Sequence, residues 1–334
     1  MKSLKSIKNL LFLAIFGLFS AYFIAGCNET PIDDNQSDDE FIKEVLTQGT
    51  GSNNQEEDDL MSGESGDLDN GGAVYNGGGG GDTPIDSLIK WGRRILSVNI
   101  SVTITSEGDS IKNASVTRTI NGNYIIIGTV NNVVDTIVKP YTEVIKRNTV
   151  FKRIAYTPRP RFNWKLYRVS MADGGTTAPQ NSNDYIQMQK IDAYVNNVLA
   201  YTFTGPDFTQ VIFVTKRFGG DGIPKVRLGD QVKLVVTTVS QQSETDIVAW
   251  HWARNTFGFH RVPFDMTSSV PNPSGPGYLR TYEKTYTIYN TPPYVHRHGV
   301  FNGFISASTH KSLYDDSPVE FSSDLVGIPY RVVP

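Results

Sequence analysis

From Leu96 to Thr105 apolar and polar residues alternate without a break, with Leu96, Val98, Ile100, Val102 and Ile104 on one side. A period of two puts these five side chains on one face of an extended strand, half of it buried. Similar runs rich in Val, Ile, Thr, Tyr and Phe recur at 116–120, 124–130, 136–145, 149–156, 164–171, 185–194, 198–203 and 210–215. No stretch after residue 91 sustains a helical period, so the pattern predicts an all-β fold. Asn121-Gly122 between two such runs predicts a tight hairpin turn. Pro140 lacks the amide that an inner strand needs and predicts an edge or a bulge.

Gly219-Gly220-Asp221-Gly222 interrupts the pattern, and a second series follows at 231–239, 247–253, 282–289, 300–308 and 328–333. This predicts two antiparallel β-sandwich modules, residues 85–218 and 219–334. The second resembles an immunoglobulin-like sandwich of bacterial surface proteins. That resemblance rests on strand number and spacing and on a tryptophan in the third-strand position.

The amino terminus follows a different logic. Lys2, Lys5 and Lys8 precede an uncharged apolar run of 17 residues from Leu10 to Gly26, the layout of a secretory signal. Such a run is at the short limit for a membrane-spanning helix, the competing interpretation. It ends in Ile24-Ala25-Gly26-Cys27, which resembles the lipobox of bacterial lipoproteins. The resemblance implies a signal peptide over 1–26, cleavage before Cys27, a thioether-linked diacylglycerol on its thiol and acylation of the new amine. Two or three acyl chains anchor stably, each buried methylene contributing about 0.8 kcal/mol. Cys27 is the single cysteine of 334 residues, which also excludes an intramolecular disulfide framework and cysteine-ligated metal clusters.

Residues 28–69 hold fourteen acidic residues and one base, Lys43. Gly71, Gly72 and Gly77 to Gly81 follow. Like charges and a shortage of apolar side chains predict a disordered tether over 27–84, with at most a helical turn or two at 41–46. Gln36-Ser37-Asp38-Asp39-Glu40 resembles the surface-export signal of lipoproteins from the Bacteroidota. It implies an outer-membrane protein facing the cell exterior, the alternative being a spacer that faces the periplasm. From residue 70 onward 27 bases stand against 20 acids, so an acidic leash would carry a basic body.

Catalytic patterns fail on inspection. Gly108-Asp109-Ser110-Ile111 resembles the nucleophile block of GDSL-type hydrolases, yet no histidine has an aspartate three residues before it, and the segment reads as a polar hairpin tip. Asp86-Ser87-Leu88, Asp109-Ser110-Ile111 and Asp135-Thr136-Ile137 resemble the O-glycosylation acceptor of the Bacteroidota. The five histidines, His296 and His298 among them, lie between residues 251 and 310 without metal-ligand spacing, and Asp315, Asp316 and Glu320 read as a solvated loop. No enzymatic activity, cofactor, metal or nucleic-acid partner is expected.

Two aromatic groups are candidate ligand contacts. Trp250 and Trp252 share a face of one strand and form a sugar-stacking platform if exposed, or a sandwich core if buried. Arg159, Arg161, Trp164, Tyr167 and their neighbours interleave bases with aromatics, a composition suited to a polyanion. The expected protein is thus a noncatalytic surface module for glycan or protein partners, with an envelope hydrolase or an assembly scaffold as the alternatives.

Overall fold

The computed structural model describes residues 36–48, 84–215, 218, 222–252, 260–288 and 299–334, with Trp252 and His260 described as backbone only. The lipobox residues Ile24, Ala25 and Gly26, together with Cys27, His296 and His298, lie outside the described residues.

The chain is all-β, two sheets packed as a sandwich. Three long strands open it: β1 (Ile85–Glu107), β2 (Ile111–Val130) and β3 (Val133–Arg153), an antiparallel meander. A short helical turn, α2 (Pro160–Asn163), leads into β4 (Trp164–Ser170) and β5 (Ala172–Ala178). Another, α3 (Ser182–Tyr185), precedes the hairpin of β6 (Ile186–Val195) and β7 (Val198–Thr204). The short strands β8 (Ile212–Val214) and β9 (Lys225–Arg227) come next, then β10 (Gln231–Ser240), β11 (Ile247–Trp252) and β12 (His260–Pro263). The last are β13 (Asp265–Pro271), β14 (Tyr278–Thr287), β15 (Gly299–Ser308), the helical turn α4 (His310–Tyr314) and β16 (Ser323–Val333).

The larger sheet runs β1-β2-β3-β5-β16-β15-β11-β12, with β4, β8 and β9 attached; the smaller runs β13-β14-β10-β6-β7. All pairs are antiparallel except the three-residue contact of β9 with β16. Residues 85–218 and 219–334, expected as successive modules, share both sheets: β5 pairs with β16, and β6 pairs with β10. Alternation along a strand reports which face is buried, but it carries no information on the neighbouring strand.

The larger sheet is covered on both faces. One face meets the smaller sheet through a core that includes Met188, Ile191, Val236, Trp250, Tyr282, Ile305 and Val326. The other face curls around a second core, with Trp91, Tyr124, Tyr141, Phe304 and Phe321 packed inside. Its first and last strands then meet, Arg261 of β12 donating to the Trp91 carbonyl of β1 at 2.8 Å. Central β15 and β16 are buried along nearly their whole length, which explains why 323–327 shows no alternation.

The turn expected at Asn121-Gly122 is absent; β2 passes through it unbroken. A Cβ on Gly122 would sit 2.6 Å from the Arg94 carbonyl oxygen and 2.8 Å from the Tyr141 hydroxyl, so this glycine permits close strand contact. The hairpins β1–β2, β2–β3 and β6–β7 close instead at Gly108–Ser110, as the polar-tip reading expects, and at two Asn-Asn pairs. Asn131, Asn132, Asn196 and Asn197 all have positive φ, the geometry of a two-residue primed turn. Pro140 falls where β3 has β2 on one side and has not yet met β5, whose pairing starts at Thr142.

The described part of the acidic stretch is helical. Residues Asp38–Gln48 form an 11-residue helix, α1, with Ile42, Val45 and Leu46 buried against the body of the domain. Their i, i+3, i+4 spacing makes one apolar stripe. A helix this short is marginal in water, so docking sustains it: three buried aliphatics contribute about 1.5–3 kcal/mol each. Asp38, Asp39 and Glu40, read from sequence as an export signal, form its first turn, where the helix dipole favours acids.

Arg280 of β14 in the smaller sheet and Asp246, just before β11, form a fully buried ion pair at 2.7 Å. Arg280 also donates to the carbonyls of Gln242 and Ser243, and Asp246 accepts from Ser240 and Tyr282. Every charge is answered, and the loop between β10 and β11 is thereby fixed. Replacing Asp246 by alanine strands a buried guanidinium. D246A is expected to lose about 3–5 kcal/mol in denaturant unfolding, and the paired change D246L/R280M distinctly less.

Candidate functional site

The end of β3 and the start of β4 build a ledge of cations and aromatic rings. The connecting loop is fixed by Asn163: its side-chain oxygen accepts from the Thr157 amide at 2.7 Å, and its amide nitrogen donates to the Thr157 carbonyl at 2.8 Å. The Arg153 guanidinium lies 4.7 Å from the ring centre of Trp164 and 4.9 Å from that of Tyr156. Lys112 of β2 stands 5.4 Å from the Trp164 ring, and Arg161 in α2 lies 4.6 Å from that of Phe162. Tyr156, Phe162 and Arg159 are exposed, and Arg161 is half-buried. Each cation over a ring contributes about 0.5–1 kcal/mol when exposed and holds the charge in a fixed place.

A bulge splits the basic-aromatic segment between two faces. Val150 pairs with Arg168 and Phe151 with Leu166, which leaves Tyr167 as the extra residue. Tyr167 packs edge-on against Phe218 at 5.0 Å, with Lys152 5.4 Å and Arg168 4.7 Å from its ring. Arg153 and Trp164 belong to the α1 side; Lys152 and Tyr167 form a second cluster. Of the pair Trp250 and Trp252, the first takes the buried alternative, and in the basic-aromatic segment Trp164 is buried as well. Trp164 is buried beneath its cations, and Trp250 lies in the core, 2% exposed, with its ring against Gly303. Gly303 leaves no side chain there, so the indole fills the space. Trp252 is described as backbone only.

A second feature was not legible in the sequence. Asp173 of β5 faces Lys146 on β3 and Val326 on β16, and Asp324 pairs with Gly175, so the two carboxyls are diagonal neighbours on one face. They line a cleft of about 160 Å³ with Thr176, Asn181 and Gln187. Burial pushes Asp324 up to about 8, and the nearby Asp173 adds to the rise; the Met188 amide, donating to it at 2.7 Å, opposes it. Burial, then the charge of Asp207, pushes Asp173 up to about 7. Burial raises Asp207 too, but hydrogen bonds from Thr209 and Gln210 outweigh it and hold this carboxyl below its usual range. The sequence Ala-Asp-Gly-Gly-Thr-Thr-Ala shows no strand alternation. Its one signal is Gly174-Gly175: a Cβ on Gly174 would lie 2.2 Å from the Val144 carbonyl oxygen.

Among the described residues, His251 and the acidic loop of the sequence analysis have local partners. His251 is buried inside the curled sheet and shares a 2.8 Å hydrogen bond with Ser306. Burial, with Arg261 and Arg93 nearby, lowers its pKa well below the usual histidine value. The acidic loop of Asp315, Asp316 and Glu320 surrounds a lysine. Lys139 donates to the Lys311 and Glu320 carbonyls at 2.9 and 2.8 Å, and burial lowers it to about 8 against the pull of the three acids. Among the described residues no group of three or more His, Cys, Asp or Glu is arranged to hold a metal. No protein family matches the chain, and no curated protein matches it.

The cleft predicts a pH dependence. Asp324 and Asp173 bind protons more tightly folded than unfolded, so their stabilising effect is complete below about pH 4. It is lost as pH rises through 7 and 8. Thermal unfolding between pH 5 and 9 is expected to show a falling Tm. Asp324→Asn keeps an acceptor for the Met188 amide, removes the charge, and is expected to flatten that fall and raise Tm at pH 8.5. An unchanged slope in D324N would refute the assignment.

Proposed function

We propose that this chain is a lipid-anchored protein of the bacterial cell envelope, with Cys27 as the lipidated residue, displayed on the outer surface by its acidic tether. Its role is noncatalytic binding of an acidic glycan, and the ledge of exposed Tyr156, Arg159 and Phe162 with half-buried Arg161 around Arg153 carries this reading. Flat aromatic faces suit sugar rings, and guanidinium groups suit the carboxylates of uronic acids. Support for the anchor comes from the run ending in Ile24-Ala25-Gly26-Cys27. The basic excess beyond residue 70 favours an anionic partner.

The carboxyl cleft favours a second reading, an envelope hydrolase in which Asp173 and Asp324 exchange protons near neutrality. Loss of turnover on a glycan substrate in D173N, with glycan binding retained, would select it.

The anchor is tested by feeding cells labelled palmitate: incorporation is expected in the native chain and not in Cys27→Ser. Protease added to intact cells is expected to degrade the protein; protection until lysis would place it on the periplasmic side. Affinity electrophoresis in polygalacturonate tests the ledge. R159A/R161A is expected to bind about fivefold more weakly, with the difference shrinking at high salt. Equal mobility of native and variant proteins would remove the ledge from the reading.

A further inference from the structure

The ledge already holds carboxylates, and they belong to this chain. Asp38, in the first turn of α1, pairs with Arg153, and Asp39 pairs with Lys112 at 2.5 Å. These are the two cations stacked on Trp164. The body of α1 lies against α2, which carries Arg161. The helix therefore presents two carboxylates to the place where an acidic glycan would present its own.

We propose that α1 is a tethered competitor for the ledge, so that a carboxylated glycan and the docked helix exclude one another. This rests on the ledge being the glycan site and names both the group it recognises and its control. Arg153 and Lys112 select for carboxylate carried on a chain, because two acids spaced along one element satisfy two cations spaced across neighbouring strands. Residues 49–83 connect the helix to β1 and contain eight acids and no base. A released helix stays attached, at high local concentration, and redocks once the ligand leaves. The segment 49–83 has no cation with which to bind the ligand itself.

Hydrogen exchange and affinity electrophoresis on the full-length chain in detergent, with polygalacturonate as the probe and neutral dextran as the control, test this. Polygalacturonate is expected to speed exchange of the amides at 41–47, and dextran to leave them protected. Asp38→Asn with Asp39→Asn removes both ion pairs and keeps the buried stripe of α1. This variant is expected to bind polygalacturonate about three- to tenfold more tightly than the native chain. Ile42→Ser, which loosens the helix from its apolar side, is expected to act in the same direction. If polygalacturonate binds the native chain while exchange at 41–47 and the affinity of both variants stay unchanged, the competition is overturned and the ledge stands. If it binds neither the native chain nor the variants, the ledge reading falls and the competition with it.

Discussion

The meeting of the first and last strands of the larger sheet shapes the rest of the molecule. The Arg261 guanidinium lies 3.8 Å from the ring centre of Trp91 while donating to that residue's carbonyl. This closes the curl and makes the concave face an interior. Charged groups inside must then be answered locally, because an unpaired buried charge would cost several kcal/mol. Arg93 pairs with Glu143 at 2.8 Å, and Arg147 donates to Asn302 at 3.0 Å. Such requirements fix the rotation of β1 and β3 about their axes, and the far end of β3 is left to build the ledge with β2 and β4.

Local chemistry in the sequence announced strands and not their partners. The alternation of β10, with Val232, Leu234 and Val236 all buried, is plain in the chain. It says nothing of β6 and β14 on either side. Central β16 was legible only at its end, because a strand covered on both faces has no polar phase to mark it. Asn-Gly at 121–122 carried the composition of a turn, yet the space beside Tyr141 demanded a glycine within a strand. Asn131-Asn132 and Asn196-Asn197 closed the hairpins without any glycine.

The site was half legible for similar reasons. Bases interleaved with aromatics located in the chain the segment that folds into the ledge. The bulge at Tyr167 decided which side chains face together, and that depends on pairing with β3. Helix α1 was legible only as a helical turn or two at 41–46, because four apolar residues among many acids do not sustain a helix until a sheet face is there to receive them. The cleft had no pattern at all. Its two carboxyls lie about 150 residues apart and become neighbours only because β5 is paired with β16.

On the proposed anchor, the docked helix would also alter the length of chain available between lipid and protein body. With α1 seated, only residues 28–37 separate Cys27 from the folded body, and ten extended residues reach about 35 Å at most. With α1 released, the stretch to residue 83 is added, and the contour grows to about 190 Å. A lipid-bound copy would stand on a short stalk at rest and be paid out on a long line once its helix is displaced. Occupancy of the ledge would thus set how far from the bilayer the protein can search.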